Sequence, residues 1–351
     1  LKKNLHIMNF NDPSHIFIIA EAGSNWKCGT FEQDLNQAKN LIKIASKSGA
    51  DAIKFQIYRP ETTYVSNPGG SETLSYSENI DTIFEKHAMP YEMIPKLVEF
   101  CKEENILFMS SPFSVDDAKA IDPFTEIHKV ASFEINHIKL LEFLASTKKP
   151  ILVSTGSSNY AEIDFCVNFL KENGCNEIIL LQCTSKYPCS IESLNLSVIP
   201  KMKSKYNLPI GFSDHSTDPI IAPLVSIGLG ATVIEKHFTI DKNLPGPDHS
   251  FALTPDELKQ MIDSIRNTEL AYGTGNKEVL EEEVKTRKFA KRSLQAISDI
   301  SKGDILELGI NFDILRPGDR LRGLEARFVT DIIGKKSKLD VEKGDGINEY
   351  E

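Results

Sequence analysis

Short apolar runs alternate with longer stretches of helical period along most of the chain. The first run is Phe17-Ile18-Ile19-Ala20. A helical stripe follows over residues 31–47, with Leu35, Ala38, Leu41, Ile42 and Ala45 on one face. Ala52-Ile53-Lys54-Phe55-Gln56 reads as a second strand, and an amphipathic stretch follows over 91–103. Six further strands are predicted at 107–110, 127–130, 151–154, 178–182, 209–212 and 233–236. Helices are predicted at 115–121, 137–147, 160–172, 193–206, 219–229 and 254–272. Eight short apolar strands, each followed by a helix, imply an α/β protein whose parallel sheet is covered on both faces. The pattern runs from Phe17 to Tyr272, close to the ~250 residues of a closed (β/α)8 barrel. An open doubly wound sheet would carry a glycine-rich phosphate turn after its first strand. Glu-Ala-Gly-Ser-Asn-Trp stands there instead, so the barrel is the reading.

Two segments break the rhythm. Residues 58–90 form a long polar insertion rich in Ser, Thr, Pro and Gly, expected at the mouth of the barrel. Residues 276–292 form a charged linker with Glu281-Glu282-Glu283 followed by Lys285, Arg287, Lys288, Lys291 and Arg292. It reads as a solvated helix. Residues 293–351 hold short β-like pieces between turn signals such as Lys302-Gly303-Asp304 and Arg316-Pro317-Gly318-Asp319. The predicted organisation is a barrel domain over 1–275, a linker over 276–292 and a small β-rich domain over 293–351. So small a domain is expected to lean on the barrel or on another subunit.

Composition narrows the function classes. The 351 residues carry a formal net charge of -10, which excludes the broad basic face of a nucleic-acid binder. A few pocket lysines can still hold a small anion. The six cysteines form no C-x-x-C pair, so neither a disulfide framework nor a zinc ribbon is indicated. The first apolar run is closed at once by Glu21, too short for a membrane span or a signal-peptide core. A cytoplasmic protein with reduced thiols and no membrane partner is expected.

In a (β/α)8 barrel the reactive groups sit where the strands end. Those positions are Glu21; Lys54 and Gln56; Ser110 and Ser111; Lys129, Ser132 and Glu134; Ser154 and Thr155; Thr184, Ser185 and Tyr187; Ser213, Asp214 and His215; Lys236 and His237. Serines and aspartates there can be helix caps and nothing more. Caps do not explain Lys54, Lys129 and Lys236 in otherwise apolar strands. They read either as buried pairs with Glu21, Glu134 or Glu235, or as a cationic pocket for a compact anion, and the barrel context favours the pocket. His215 and His237 close neighbouring strands. By spacing alone they fit either a divalent metal with open positions or two ordinary histidines.

Several blocks taken together are familiar. Ala-Glu-Ala-Gly-Ser-Asn at 20–25, Gly-Ala-Asp-Ala-Ile-Lys-Phe-Gln at 49–56 and His-Lys-Val-Ala-Ser-Phe-Glu at 128–134 resemble the sialic acid synthase family. So do Gln-Cys-Thr-Ser-Lys-Tyr-Pro at 182–188, Gly-Phe-Ser-Asp-His at 211–215, Glu-Lys-His-Phe at 235–238 and Pro-Gly-Pro-Asp-His at 245–249. The tail, with Arg-Pro-Gly at 316–318 and Ile-Gly-Lys-Lys at 333–336, resembles the antifreeze-like (SAF, β-clip) domain that ends those synthases. The resemblance implies a TIM barrel that condenses phosphoenolpyruvate with an N-acylated amino sugar, releasing phosphate and a nonulosonic (sialic) acid. It implies a domain-swapped homodimer. Phosphoenolpyruvate would meet Lys54, Ser111, Lys129, Ser132, Ser154, Ser185 and Ser213. Glu21 and Glu134 would handle protons or water, joined by Lys54 and Lys129 in catalysis. Gln56, Tyr187, Asp248 and the partner's Arg316 would meet the sugar. A divalent metal, most often Mn2+, with Mg2+ or Co2+ as alternatives, would sit on His215 and His237. Two sugars fit: N-acetylmannosamine and the 2,4-diacetamido-trideoxyhexose that leads to legionaminic acid. Pro245-Gly246-Pro247-Asp248 looks more like these two branches than like the pseudaminic branch. The family usually has His after Asn25, where this chain has Trp26, which bears on the sugar contacts there. An asparagine of some members is Ser185 here.

Rival readings remain at this point. An imine-forming aldolase barrel would use one lysine as nucleophile and need no metal. A non-catalytic sugar binder would have no use for the lysines or the histidine pair. A sugar-phosphate condensing synthase would keep the chemistry and change the aldehyde.

Overall fold

All eight apolar runs form parallel strands. The computed structural model describes residues 9–69 and 79–351, and the chain separates into one unit ending at Gly273 and one running Thr274–Glu351. In the first unit the strands are β1 (Phe17–Gly23), β2 (Ala52–Ile57), β3 (Leu107–Pro112), β4 (His128–Val130), β5 (Ile151–Ser154), β6 (Ile178–Cys183), β7 (Ile210–Asp214) and β8 (Val233–His237). Each lies beside its neighbours in sequence, β1 pairs with β8, and β3 and β4 meet at the seam. This is a (β/α)8 barrel.

The helices are α1 (Phe31–Ser48), α2 (Pro60–Thr63), α3 (Ile80–His87), α4 (Ile94–Glu103), α5 (Val115–Ile121), α6 (Ile138–Ser146), α7 (Tyr160–Glu172), α8 (Val198–Tyr206), α9 (Ile221–Gly228) and α10 (Pro255–Tyr272). Capping boxes start three of them: Thr30 with Gln33, Asn159 with Glu162 and Thr254 with Glu257. The helix predicted over 193–206 begins only at Val198. Asn195 takes φ 47, a left-handed backbone that stops a helix from running through it.

Strand parity sorts the core. Ile18, Ala20, Ile53, Phe55, Val153, Leu180, Phe212 and Ile234 face outward and join the helix layer in one cluster. Phe17, Ile19, Ala52, Met109, Ile127, Leu152, Ile179, Leu181 and Val233 fill the barrel floor in another. Each fully buried Leu or Ile contributes about 1.5–3 kcal/mol, so both layers stiffen the strand ends above them.

The 58–90 insertion carries α2 and α3; its residues 70–78 lie outside the described residues. Tyr58 and Phe84 pack at 4.4 Å between ring centroids, and Tyr58 meets Phe113, just past β3, at 5.3 Å. This aromatic cluster ties the insertion to the strand ends.

The second unit opens with α11 (Glu281–Ala290), none of whose residues is buried, the solvated helix its charges predict. Two antiparallel strands follow, β9 (Ser293–Ala296) and β10 (Phe312–Leu315), with Phe312 opposite Ala296. Single bridges such as Gln295–Gly346 and Ile300–Val341 add to them. Leu294, Ile300, Leu306, Phe312, Ile332 and Ile347 form its own small core. It is a small β-containing unit.

Among the described residues no helix is long and apolar enough to cross a membrane. All six cysteines are free thiols.

Candidate active site

Two residues beyond the floor layer, the same inward parity brings polar groups to the mouth. Ile19, Ala52, Met109, Ile127, Leu152, Leu181 and Val233 of the floor are followed by Glu21, Lys54, Ser111, Lys129, Ser154, Cys183 and Glu235, all buried. A strand repeats its side-chain direction every second residue, so the apolar floor and the charged mouth are one stack.

The ion pairs are specific. Lys54 Nζ lies 2.7 Å from Glu21 Oε2 and 3.8 Å from Glu235 Oε1, and donates to Ser111 Oγ at 3.1 Å. Gln56 Nε2 donates to Glu21 Oε1 at 3.2 Å, and Ser213 Oγ to Glu235 Oε1 at 3.1 Å. Lys129 Nζ donates to Ser154 Oγ at 2.7 Å and to the Val130 carbonyl at 3.0 Å. Among the described residues no carboxylate hydrogen-bonds Lys129, so its charge is the less compensated of the two. Burial pulls its pKa down, Glu235 opposes that, and Lys54 adds to it.

The carboxylates divide by environment. Burial pushes Glu21 up to about 7, against the pull of Lys54, and Glu235 adds to the push. Burial also carries Glu134 to about 7, with Lys129 only partly opposing it. Burial pushes Glu235 up as well, but Lys129 and Lys54 outweigh it and hold it below the usual range. One carboxylate therefore stays ionised while two are poised to exchange protons near neutral pH.

Beside Lys129 sits a small polar cradle. The Gly156 amide donates to Ser132 Oγ at 3.1 Å. A Cβ on Gly156 would come within 2.2 Å of Ser185 Oγ and 2.8 Å of Ser132 Oγ, so only glycine lets both hydroxyls close in. Ser185 Oγ is buried without a hydrogen-bond partner, a donor waiting for an acceptor.

His215 and His237 meet across the mouth with ring centroids 5.5 Å apart. His215 Nδ1 lies 2.9 Å from the Thr184 carbonyl, which as donor would leave Nε2 free. His237 Nδ1 is buried without a hydrogen-bond partner, 3.9 Å from Asp248 Oδ2. Burial first, then the charge of His215, holds His237 well below its ordinary pKa, so its ring is neutral and able to ligate. Among the described residues no three His, Cys, Asp or Glu side chains gather tightly enough to hold an ion alone. Burial lowers the pKa of His215 but Cys183 outweighs it and raises it, so the pair would hold a divalent metal, its shell completed by water or substrate oxygens, only with the release of the His215 proton.

The remaining predicted residues divide. The Tyr187 ring stands 4.1 Å from that of His215 and is 41% exposed, at the lip. Asp248 accepts from Ser24 Oγ at 3.2 Å. Arg316 lies exposed on the second unit.

Two expectations are corrected. Lys236 is not a pocket lysine: it shares the outward parity of Ile234. There it binds Asp214 Oδ2 and the Ser216 carbonyl, each at 2.6 Å, and the Asp218 carbonyl at 3.1 Å. Trp26 does not stand as a polar-ring substitute at the sugar, for it is 1% exposed within the outer apolar core. Two inward residues were missed as site members. Glu235 entered only as a counter-ion, although it precedes His237 by two on an inward strand. Cys183 lies 3.5 Å from Ser132 Oγ and 3.8 Å from His215 Nδ1, and the same parity flags it.

Fold and mouth together define a barrel whose strand ends carry buried lysines and carboxylates beside a histidine pair. The chain belongs to the NeuB family, whose model matches residues 41–277. It is 38% identical over 353 residues to a pseudaminic acid synthase of Campylobacter jejuni, covering 98% of this chain and 99% of that one. It is 36% identical over 339 residues to an N,N'-diacetyllegionaminic acid synthase of Campylobacter jejuni, covering 95% and 98%. The crystal structure of the N-acetylneuraminic acid synthetase of Leptospira borgpetersenii, in complex with citrate, matches with a TM-score of 0.72. Identity there is 32%, over 82% of this chain and 96% of that one.

Proposed function

We propose that this chain is a synthase that joins C3 of phosphoenolpyruvate to the aldehyde carbon of an N-acylated amino sugar, giving a nonulosonic acid and phosphate. The observation that carries the reading is the pair of buried lysines, Lys54 and Lys129, each bonded to a serine of the next strand, with one ionised carboxylate, Glu235, shared between them. That is one cation for each charged end of a small dianion, with enough negative charge to keep the empty pocket tolerable. Membership of a family whose relatives are nonulosonic acid synthases supports the same chemistry.

Lys129, Ser154 and the Gly156–Ser132–Ser185 cradle would receive one end of phosphoenolpyruvate, and Lys54 with Ser111 and Ser213 the other. A divalent metal held by His215 and His237 would supply Lewis acidity toward the sugar aldehyde. Gln56, Tyr187 and Asp248 would orient the sugar. C3 bonds to the aldehyde carbon, whose oxygen takes a proton, and water adds at C2. Glu134 or Glu21, poised near neutrality, takes the proton from that water. The C2–O bond to phosphate then breaks, the C2 hydroxyl passes its proton to the departing phosphate, which leaves with the bridging oxygen, and a keto group remains. The lysines stabilise the departing charge.

The sugar is N-acetylmannosamine or a 2,4-diacetamido-trideoxyhexose. Whole-chain identities of 38% and 36% do not order the branches, so the choice rests on the 245–248 motif. In this reading the protein works in the cytoplasm as a homodimer with an antifreeze-like tail, and Arg316 serves the sugar site of a second copy. A mixed dimer of Arg316→Ala and His215→Ala chains then regains up to one working site in two; no recovery would remove sharing in trans.

The test is mass spectrometry of products formed from phosphoenolpyruvate and each sugar in 18O-labelled water. A nonulosonic acid with unlabelled phosphate is expected. Phosphate that carries solvent oxygen would mean P–O cleavage and defeat the mechanism. Borohydride trapping of a keto substrate on Lys54 or Lys129 would favour the aldolase reading.

A further inference from the structure

The second unit holds a cation that the described residues leave without an acceptor. Arg322 is half-buried; its Nε and Nη2 are covered and have no hydrogen-bond partner among the described residues. Outside the barrel mouth, it is the one ionised side chain among the described residues with buried polar atoms in that state. A guanidinium cannot shed its charge to escape burial. Such a group carries a desolvation cost that only an acceptor offsets.

Three carboxylates of this unit are paired with other arginines. Glu325 lies 3.4 Å from Arg287 and 3.0 Å from Arg327. Glu342 and Asp345 lie 3.3 Å and 2.9 Å from Arg320. Arg292 donates to the Ile314 carbonyl at 2.7 Å.

The root of Arg322 is fixed. Its carbonyl accepts from Asn348 Nδ2 at 3.2 Å, and the next amide, of Gly323, donates to Gln295 Oε1 at 2.9 Å. The flanking amides of Leu321 and Leu324 donate to Asp345 Oδ1 at 3.2 Å and to the Ile347 carbonyl at 2.9 Å. The Gly346 backbone lies so close that a Cβ there would stand 2.4 Å from the Arg322 carbonyl carbon. The backbone that carries the fork is therefore held before a ligand arrives.

We propose that Arg322 is the receptor for a carboxylate that this unit does not itself supply. The Nε–Nη2 edge presents two parallel N–H groups, the geometry that matches two oxygens on one carbon. Two sources share this chemistry: a small carboxylate from solution, and an Asp or Glu of a second copy of the chain.

The experiment uses the full chain and its Arg322→Gln and Arg322→Lys variants. Sodium acetate is titrated calorimetrically at constant ionic strength, and sedimentation is followed over a range of protein concentrations. With a small carboxylate as ligand, acetate binds saturably to the native chain. That site is lost in Arg322→Gln and weakened about tenfold or more in Arg322→Lys, which keeps the charge without the fork. With a second copy as ligand, acetate binding is the same in all three, and Arg322→Gln weakens self-association about tenfold or more. Inorganic phosphate in place of acetate separates a carboxylate receptor from a general anion site, and binding of phosphate but not acetate would contradict the proposal. It is also overturned if Arg322→Gln matches the native chain in both titration and sedimentation. A higher melting temperature for Arg322→Gln, with both other readouts unchanged, would mark the arginine as an uncompensated charge and nothing more.

Discussion

The floor and the mouth of the barrel are built from the same strands with the same inward parity, and they differ by two residues of chain. Below, Ile19, Ala52, Met109, Ile127 and Leu152 make a dry plug. Above, Glu21, Lys54, Ser111, Lys129 and Ser154 make a charged pocket at almost the same burial. The difference teaches that burial alone does not decide stability here. The floor stabilises by excluding water. The mouth holds buried charges that are partly matched with one another and, in the proposed function, completed by substrate. Lys236 is the control, since it is equally buried but fully answered by Asp214, Ser216 and Asp218.

The sharpest way to break the comparison is to exchange lysines for methionine. Lys129→Met is expected to lower kcat/KM for phosphoenolpyruvate by roughly 10³-fold with a small fall in melting temperature, because Glu235 loses the pull of Lys129 but keeps Lys54 and Ser213. Lys236→Met should reverse the pattern. It leaves Asp214 buried without its cation, at a cost of about 3–5 kcal/mol, while the KM for phosphoenolpyruvate stays near the native value. Denaturant melts and phosphate release on the same samples read both. Equal kinetic losses would erase the distinction between the two lysines.

A floor substitution comes next. Leu181→Ala is expected to cost about 2–5 kcal/mol, with unchanged turnover per folded molecule.

The third contrast is pH. Glu134 has its pKa raised to about 7, with burial as the main cause. The native chain therefore holds this proton more tightly than the unfolded chain, whose value is 4.5. The stability it contributes in the ligand-free protein is complete below 4.5 and is lost as pH rises through 7, by an amount of order 3 kcal/mol. Glu134→Gln should flatten that slope in melts between pH 4.5 and 7. It should also remove a rise in turnover through pH 7. An unchanged slope would deny Glu134 its poised state.

The smallest effect is expected at His249, which is 1% exposed and has Nδ1 2.6 Å from Thr239 Oγ1. The pair pins the loop that carries Asp248. His249→Ala should raise the KM for the sugar about tenfold with the KM for phosphoenolpyruvate unchanged. Parallel rises in both would point to general loosening.

Much of this was legible in the sequence because period-two and period-3.6 patterns report burial directly. They placed eight strands, the barrel and most of the inward polar ends. The same rule places Glu235 and Cys183 in the mouth and turns Lys236 out of it, once parity is followed past the last apolar residue. Trp26 misled because a motif position does not say which way a side chain points. Asp248 lies in a loop with no period, so only its Pro-Gly-Pro-Asp-His block marked it. The solitude of Arg322 depends on which carboxylates other arginines occupy, a tertiary fact with no local signature.

The most direct test of the account is phosphate release from phosphoenolpyruvate with manganese, assayed with N-acetylmannosamine, with a 2,4-diacetamido-trideoxyhexose and without sugar, each with and without chelator. Release that requires one of the sugars and stops with chelator is the expected result. Silence with both sugars, or release that ignores sugar and chelator alike, would contradict it.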